Sequence, residues 1–95
     1  MQAAPTISTF IGIRESGVIF EDLRAFVAVA QLGSFSKAAA SLCVAQSALS
    51  KRVQRLEHRV GAALFERRAR GVILTETGQG FLPRAQQVVD EVIDI

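Results

Sequence analysis

The chain has 95 residues, 49% of them apolar and 21% charged, a composition that supports one small globular domain and excludes a disordered tail. One cysteine excludes an internal disulfide, and neither it nor the single histidine sits in a metal-ligand or redox spacing, so no metal or cofactor is expected. The formal net charge is only +2, but it is unevenly spread: Lys51 to Arg70 holds seven basic side chains against Glu57 and Glu66, while Arg84 faces Glu76, Asp90, Glu91 and Asp94 beyond it. That asymmetry points to a polyanion-binding middle and a C-terminal segment with a different task.

Residues 1–19 contain Pro5, Gly12 and Gly17 and no helical stripe, and read as an N-terminal extension, either disordered or folded into a short hairpin from TFIGI, RESG and VIF. They lack a basic start and a continuous apolar block, so a signal peptide is not expected. Nothing approaches the length of a membrane span, and a reducing cytoplasm fits best. From Phe20, the positions Leu23, Phe26, Val27 and Ala30 follow i, i+3, i+4, i+7 and predict an amphipathic helix ending at Gly33. Ser34 is a cap for a second, short helix whose alanines allow close approach, and Cys43, Val44 and Ala45 form the turn after it, with Cys43 read as a small core residue.

A third helix is predicted from about Gln46 to Val60. Leu49, Val53, Leu56 and Val60 make its buried face, opposite Ser47, Lys51, Gln54, Arg55 and His58, with Gly61 ending it. His58 reads as a surface residue. Leu64 to Arg67 and Val72 to Leu74 read as two short strands around an arginine-rich tip, with Gly71 supplying turn freedom. Thr75 is a plausible N-cap for the last helix, in which Phe81, Ala85, Val88, Val92 and Ile95 have coiled-coil spacing and Leu82, Val89 and Ile93 widen the stripe. A kink or loose turn is expected near Gly78 to Gly80, because Pro83 removes a backbone bond. The two apolar flanks of this helix suggest that one packs on the domain and the other on a second copy.

Two helices joined by a three-residue turn, then a hairpin, make a mostly α winged helix-turn-helix: a three-helix core, a short wing and a long C-terminal linker helix. A helix of this kind fits the major groove of double-stranded DNA. Gln46 can offer a donor and an acceptor to adenine, Ser47 and Ser50 allow close approach, and Lys51 can reach guanine or phosphate. Phosphates near the minor groove would compensate Arg67, Arg68 and Arg70, with Arg70 ranked first for the groove and Arg67 read as pairing with Glu66 or an internal acid.

From Phe20 onward the segments FEDLRAFVAVAQLGSFSKAAASL, VAQSALSKRVQRLE and VGAALFERRARGVILTETG resemble, in order and spacing, the N-terminal DNA-binding region of LysR-type transcriptional regulators. The resemblance implies a winged domain over residues 20–75 and a linker helix over 76–95 that pairs two subunits. It places Gln46, Ser47, Ser50 and Lys51 at the DNA, brings Arg70 from the wing, and gives Ser34, Ser36 and Lys37 to backbone phosphates. The apolar stripe of the last helix gives the expected homodimer its residues, Phe81, Leu82, Ala85, Val88, Val89, Val92 and Ile93, and the two-fold axis of such a dimer calls for an inverted-repeat site. Members commonly carry proline after the glutamine, where this chain has Ser47 and Ala48. Complete members continue into an effector-binding domain, so a small-molecule effector is expected only of a longer chain that carries it. Three function classes stand at this point: a sequence-specific transcription regulator, a winged module that binds an acidic protein, and an enzyme, for which no paired catalytic carboxylates or phosphate-cradling glycine loop are visible.

Overall fold

The computed structural model describes residues 16–93. Its elements run α1 (Ser16–Leu32), α2 (Phe35–Leu42), α3 (Gln46–Val60), β1 (Phe65–Arg68), β2 (Gly71–Leu74) and α4 (Glu76–Ile93). Helix α1 starts four residues before the predicted Phe20, so VIF belongs to a helix and not to a hairpin strand. The rest of the proposed extension, residues 1–15, lies outside the described residues.

Helix α1 is the central post, packed against α2, α3 and α4. Its predicted stripe, Leu23, Phe26 and Val27, enters one cluster with Leu56, Leu64, Ala85 and Val89. A second stripe, Ala25 and Val29, enters another cluster with Phe35, Ala38, Ala39, Leu49, Val53 and Val72. Phe65 packs against both clusters and joins them. A helix with neighbours on several sides needs apolar residues on more than one stripe, which is why a single 3.6-residue periodicity understates its burial.

Local chemistry sets the turns. Ser34 adopts an extended conformation and its Oγ accepts from the Lys37 amide at 3.1 Å, the cap that starts α2. Cys43 ends α2 with φ 58, its amide turned back to the Ala39 and Ala40 carbonyls. This left-handed cap leaves the cysteine exposed, correcting its assignment to the core. Gly61 closes α3 with φ 88.

The wing is an antiparallel pair in the register Phe65↔Leu74 to Arg68↔Gly71. Two ties set its attitude. Glu57 of α3 accepts the amides of Leu64 at 2.8 Å and Phe65 at 3.4 Å through Oε2. On the other strand, the Val72 amide donates to the Gly33 carbonyl at 3.1 Å. Gly71, with φ +99, passes so close that a Cβ there would overlap the Gly33 oxygen.

Helix α4 corrects two expectations. It runs unbroken through Gly78 and Pro83. Gly78 is buried, and an added Cβ would overlap the Leu64 carbonyl, so this glycine permits close packing rather than a loose turn. Pro83 and Gln79, whose carbonyl the proline cannot satisfy, are both exposed residues. Thr75 behaves as the expected cap, its Oγ1 accepting the Gly78 amide at 3.0 Å and donating to the Ala63 carbonyl at 2.7 Å. Ala85 and Val89, assigned from the sequence to a subunit contact, are 0% and 6% exposed within the chain's own core. Side chains already enclosed by their own domain offer no surface to a second copy. Phe81, Leu82 and Val88 are half-buried against the same cluster. One flank of α4 thus packs on the domain, as the two apolar flanks predict.

Candidate nucleic-acid interface

The α2–α3 turn presents the start of α3 to solvent. Gln46, Ser47 and Lys51 are exposed and Ser50 is half-buried, while Leu49, Val53 and Leu56 anchor the opposite side. Ala45 precedes this helix with extended backbone but no side-chain cap, so the first turn's amides are left without the partner that Ser34 supplies to α2. A helix N-terminus of this kind carries partial positive charge. At the start of α2, Ser36 and Lys37 are exposed beside the half-buried Ser34.

The wing sits against the start of α2 and the middle of α3. Arg67 places its guanidinium carbon 4.7 Å from the Phe35 ring centroid, and a crevice of about 140 Å³ is lined by Phe35, Ser50, Gln54 and Arg67, with Val53, Glu57 and Phe65 beneath. Three elements, α2, α3 and β1, thus meet along one seam. Gly33 and Gly71, in contact, put Ser34 and Arg70 one residue away on either side of a second junction. Arg67, Arg68 and Arg70 are all exposed. Arg68 makes an ion pair with Glu66 at 3.3 Å, so the carboxylate expected for Arg67 is taken by its neighbour.

The predicted solvent face of α3 divides. Arg55 turns to α1, where its Nε and Nη2 donate to Asp22 at 2.9 to 3.3 Å. Asp22 is wholly buried and the Arg55 side chain 45% exposed. The hydrogen bonds to Asp22 are the main cause that holds the Arg55 guanidinium above the ordinary arginine value; burial pulls the other way, and the charge of Asp22 adds to the rise. The contribution of the raised arginine is present below the ordinary arginine range and is lost as pH rises through the higher value. One turn earlier, Arg52 lies 3.3 Å from Glu21. The signal for these pairs was a carboxylate on the apolar side of α1, at Asp22 with Ala25 and Val29 at i+3 and i+7, opposite arginines at i and i+3 on α3.

A family model described as bacterial regulatory helix-turn-helix protein, lysR family, matches residues 20–79. A regulator from the ibpB-leuC intergenic region of Azotobacter vinelandii is 46% identical over 72 residues, 76% of this chain and 50% of that protein. The transcriptional activator AmpR of Pseudomonas aeruginosa is 52% identical over 61 residues, 64% of this chain and 21% of that protein. The chain therefore spans half or less of the length of these relatives. Among solved structures, the BenM DBD/catB site 1 DNA complex superposes with a TM-score of 0.74 at 41% identity, covering 79% of this chain and 83% of that one. The chain belongs to the LysR family of bacterial regulatory helix-turn-helix proteins.

Proposed function

We propose that this chain is the DNA-reading part of a transcription regulator that binds an inverted-repeat operator as a homodimer. Helix α3 enters the major groove, with Gln46 reading a base, Ser47 and Ser50 in close approach, and Lys51 on guanine or phosphate. Ser34, Ser36 and Lys37 meet the backbone, and the wing brings Arg67, Arg68 and Arg70 toward the flanking minor groove. The second copy docks along α4, on surface that Phe81, Leu82 and Val88 leave uncovered and on the continuation of the stripe at Val92 and Ile93. The cytoplasm is the compartment where such a regulator meets its DNA.

The observation that carries this reading is the seam where α2, α3 and β1 meet. It gathers Phe35 of α2, Ser50 and Gln54 of α3 and Arg67 of the wing around one crevice. A solvated basic surface would need no such convergence. Selection of duplexes from a random pool by the purified chain tests the proposal, and the recovered sequences should share an inverted repeat. Gln46→Ala should then lower discrimination between selected and random duplexes by about 1 to 3 kcal/mol at one base pair, with affinity for random DNA nearly unchanged. Recovery of no common sequence would sink the operator reading; unpaired half-sites alone would sink the dimer. Equal losses on both kinds of DNA would make Gln46 a positioning residue.

A further inference from the structure

Arg67 is held differently from the arginine beside it. Arg68 is tied to a carboxylate, whereas Arg67 makes no ion pair among the described residues and lies over the face of Phe35. Phe35 is itself only 7% exposed. It meets Phe65 edge-on, with centroids 5.8 Å apart and planes at 73°, and Phe65 in turn meets the fully buried Phe26 at 5.3 Å. The guanidinium therefore rests on a column of rings that descends into the core. Glu57, the carboxylate lining the same crevice, has Oε2 engaged by the Leu64 and Phe65 amides.

A long arginine that is free in solution loses rotamer entropy when a ligand fixes it. An acidic neighbour would hold it in advance, but would also cancel its charge toward an incoming phosphate. An aromatic face attracts the cation through its quadrupole and carries no net charge. The difference matters only if the cation has to stay both placed and unneutralised.

We propose that Phe35 is a positioning residue for DNA binding: its ring holds the Arg67 guanidinium at the α3–wing seam, ready for a DNA phosphate. The inference rests on the proposed wing contact. Phe35 acts on the placement of the charge and not on its presence, so its removal has a signature of its own.

The probe is a duplex selected from a random pool by the wild-type chain. Arg67→Ala should weaken binding and reduce the salt slope by about 0.9, the contribution of one phosphate. Phe35→Leu should weaken binding about two- to tenfold with the salt slope retained, and should have no further effect in the Arg67→Ala background. Phe35→Tyr keeps the ring and should bind as wild type does. In the free wild-type chain, ring current from Phe35 should shift the Arg67 Hδ and Hε resonances upfield, a readout that needs no core substitution. Equal losses from Phe35→Leu in both backgrounds overturn the proposal, as do unshifted Arg67 resonances or a Phe35→Tyr protein as weak as Phe35→Leu. An Arg67→Ala protein with wild-type affinity and slope instead removes the Arg67 contact on which the proposal rests, and leaves the readings of Gln46 and Arg70 standing.

Discussion

Arg52 and Arg55 on α3 and Arg67 and Arg70 on the wing belong to one basic segment of the sequence, yet they serve two different surfaces. The first pair faces α1 and meets Glu21 and Asp22. The second pair is exposed, and among the described residues neither member makes an ion pair. Of the seven basic residues between Lys51 and Arg70, three are paired with carboxylates within the described chain. The local charge excess therefore overstates what a polyanion would meet. Distance along a helix decides the outcome: Lys51 points out, while Arg52 and Arg55, one and four positions later, point toward α1.

The sharpest way to break this comparison is to remove one arginine from each surface and compare stability. Arg55→Ala leaves the Asp22 carboxylate buried without its partner and should cost about 3 kcal/mol. That is the low end for a broken buried pair, because the half-exposed Arg55 leaves water a route to the acid. Urea unfolding monitored by circular dichroism measures it. Replacing both residues by leucine should recover most of the loss, since the uncompensated charge then disappears. A loss below about 0.5 kcal/mol for Arg55→Ala, the range of ordinary surface changes, would place Arg55 with the wing arginines.

The same contrast explains what was legible in the sequence. Elements with one buried face or a strong terminal signal could be read directly: α3 from Leu49, Val53 and Leu56, α2 from Ser34, the wing from Gly71, and α4 from Thr75. Features that depend on a distant partner could not. Asp22 and Arg55 are 33 residues apart, and either looks solvated when considered alone. Phe35 and Arg67 likewise meet only once β1 lies beside α2. Cys43 reads as a small apolar residue until the left-handed cap turns it outward. The start of α1 was missed because Gly17 and the absence of a stripe before Phe20 concealed it. Ala85 and Val89 have the spacing of a partner-facing helix, but α1 takes up that face first.

On the wing the expected result reverses. Arg70→Ala should leave stability within about 0.5 kcal/mol of wild type, because the side chain is exposed and joins no ion pair among the described residues. Binding to a selected duplex should weaken by about tenfold, the scale of one charge-assisted hydrogen bond, and the salt slope should fall by about 0.9. If the contact lies in the minor groove, the loss should be larger on a narrow, A·T-rich flank than on a wide one. Binding titrations at several salt concentrations, on both flanks, separate these outcomes. Unchanged affinity and slope on every duplex would leave Arg70 a solvated charge and remove the wing half of the comparison.

The smallest expected effect concerns how the two helices of the helix-turn-helix begin. Ser34 satisfies an amide in the first turn of α2, but Ala45 offers nothing to the start of α3, although its φ of −68° and ψ of 145° are the extended backbone a capping residue uses. The extended geometry is present and only the oxygen is missing. Ala45→Ser should therefore stabilise the chain by about 1 kcal/mol, near the typical value for such a cap. In urea the midpoint should rise with the m-value unchanged, because the surface exposed on unfolding is nearly the same. The substitution adds no charge, so DNA affinity should not fall through repulsion. If the new hydroxyl competes with a phosphate for the same amides, stability will rise while affinity drops. That split would identify the uncapped turn as a backbone contact in its own right. A midpoint that does not move would mean that the hydroxyl fails to reach the α3 amides, and that the difference between the two helix starts lies in backbone position rather than in the missing oxygen.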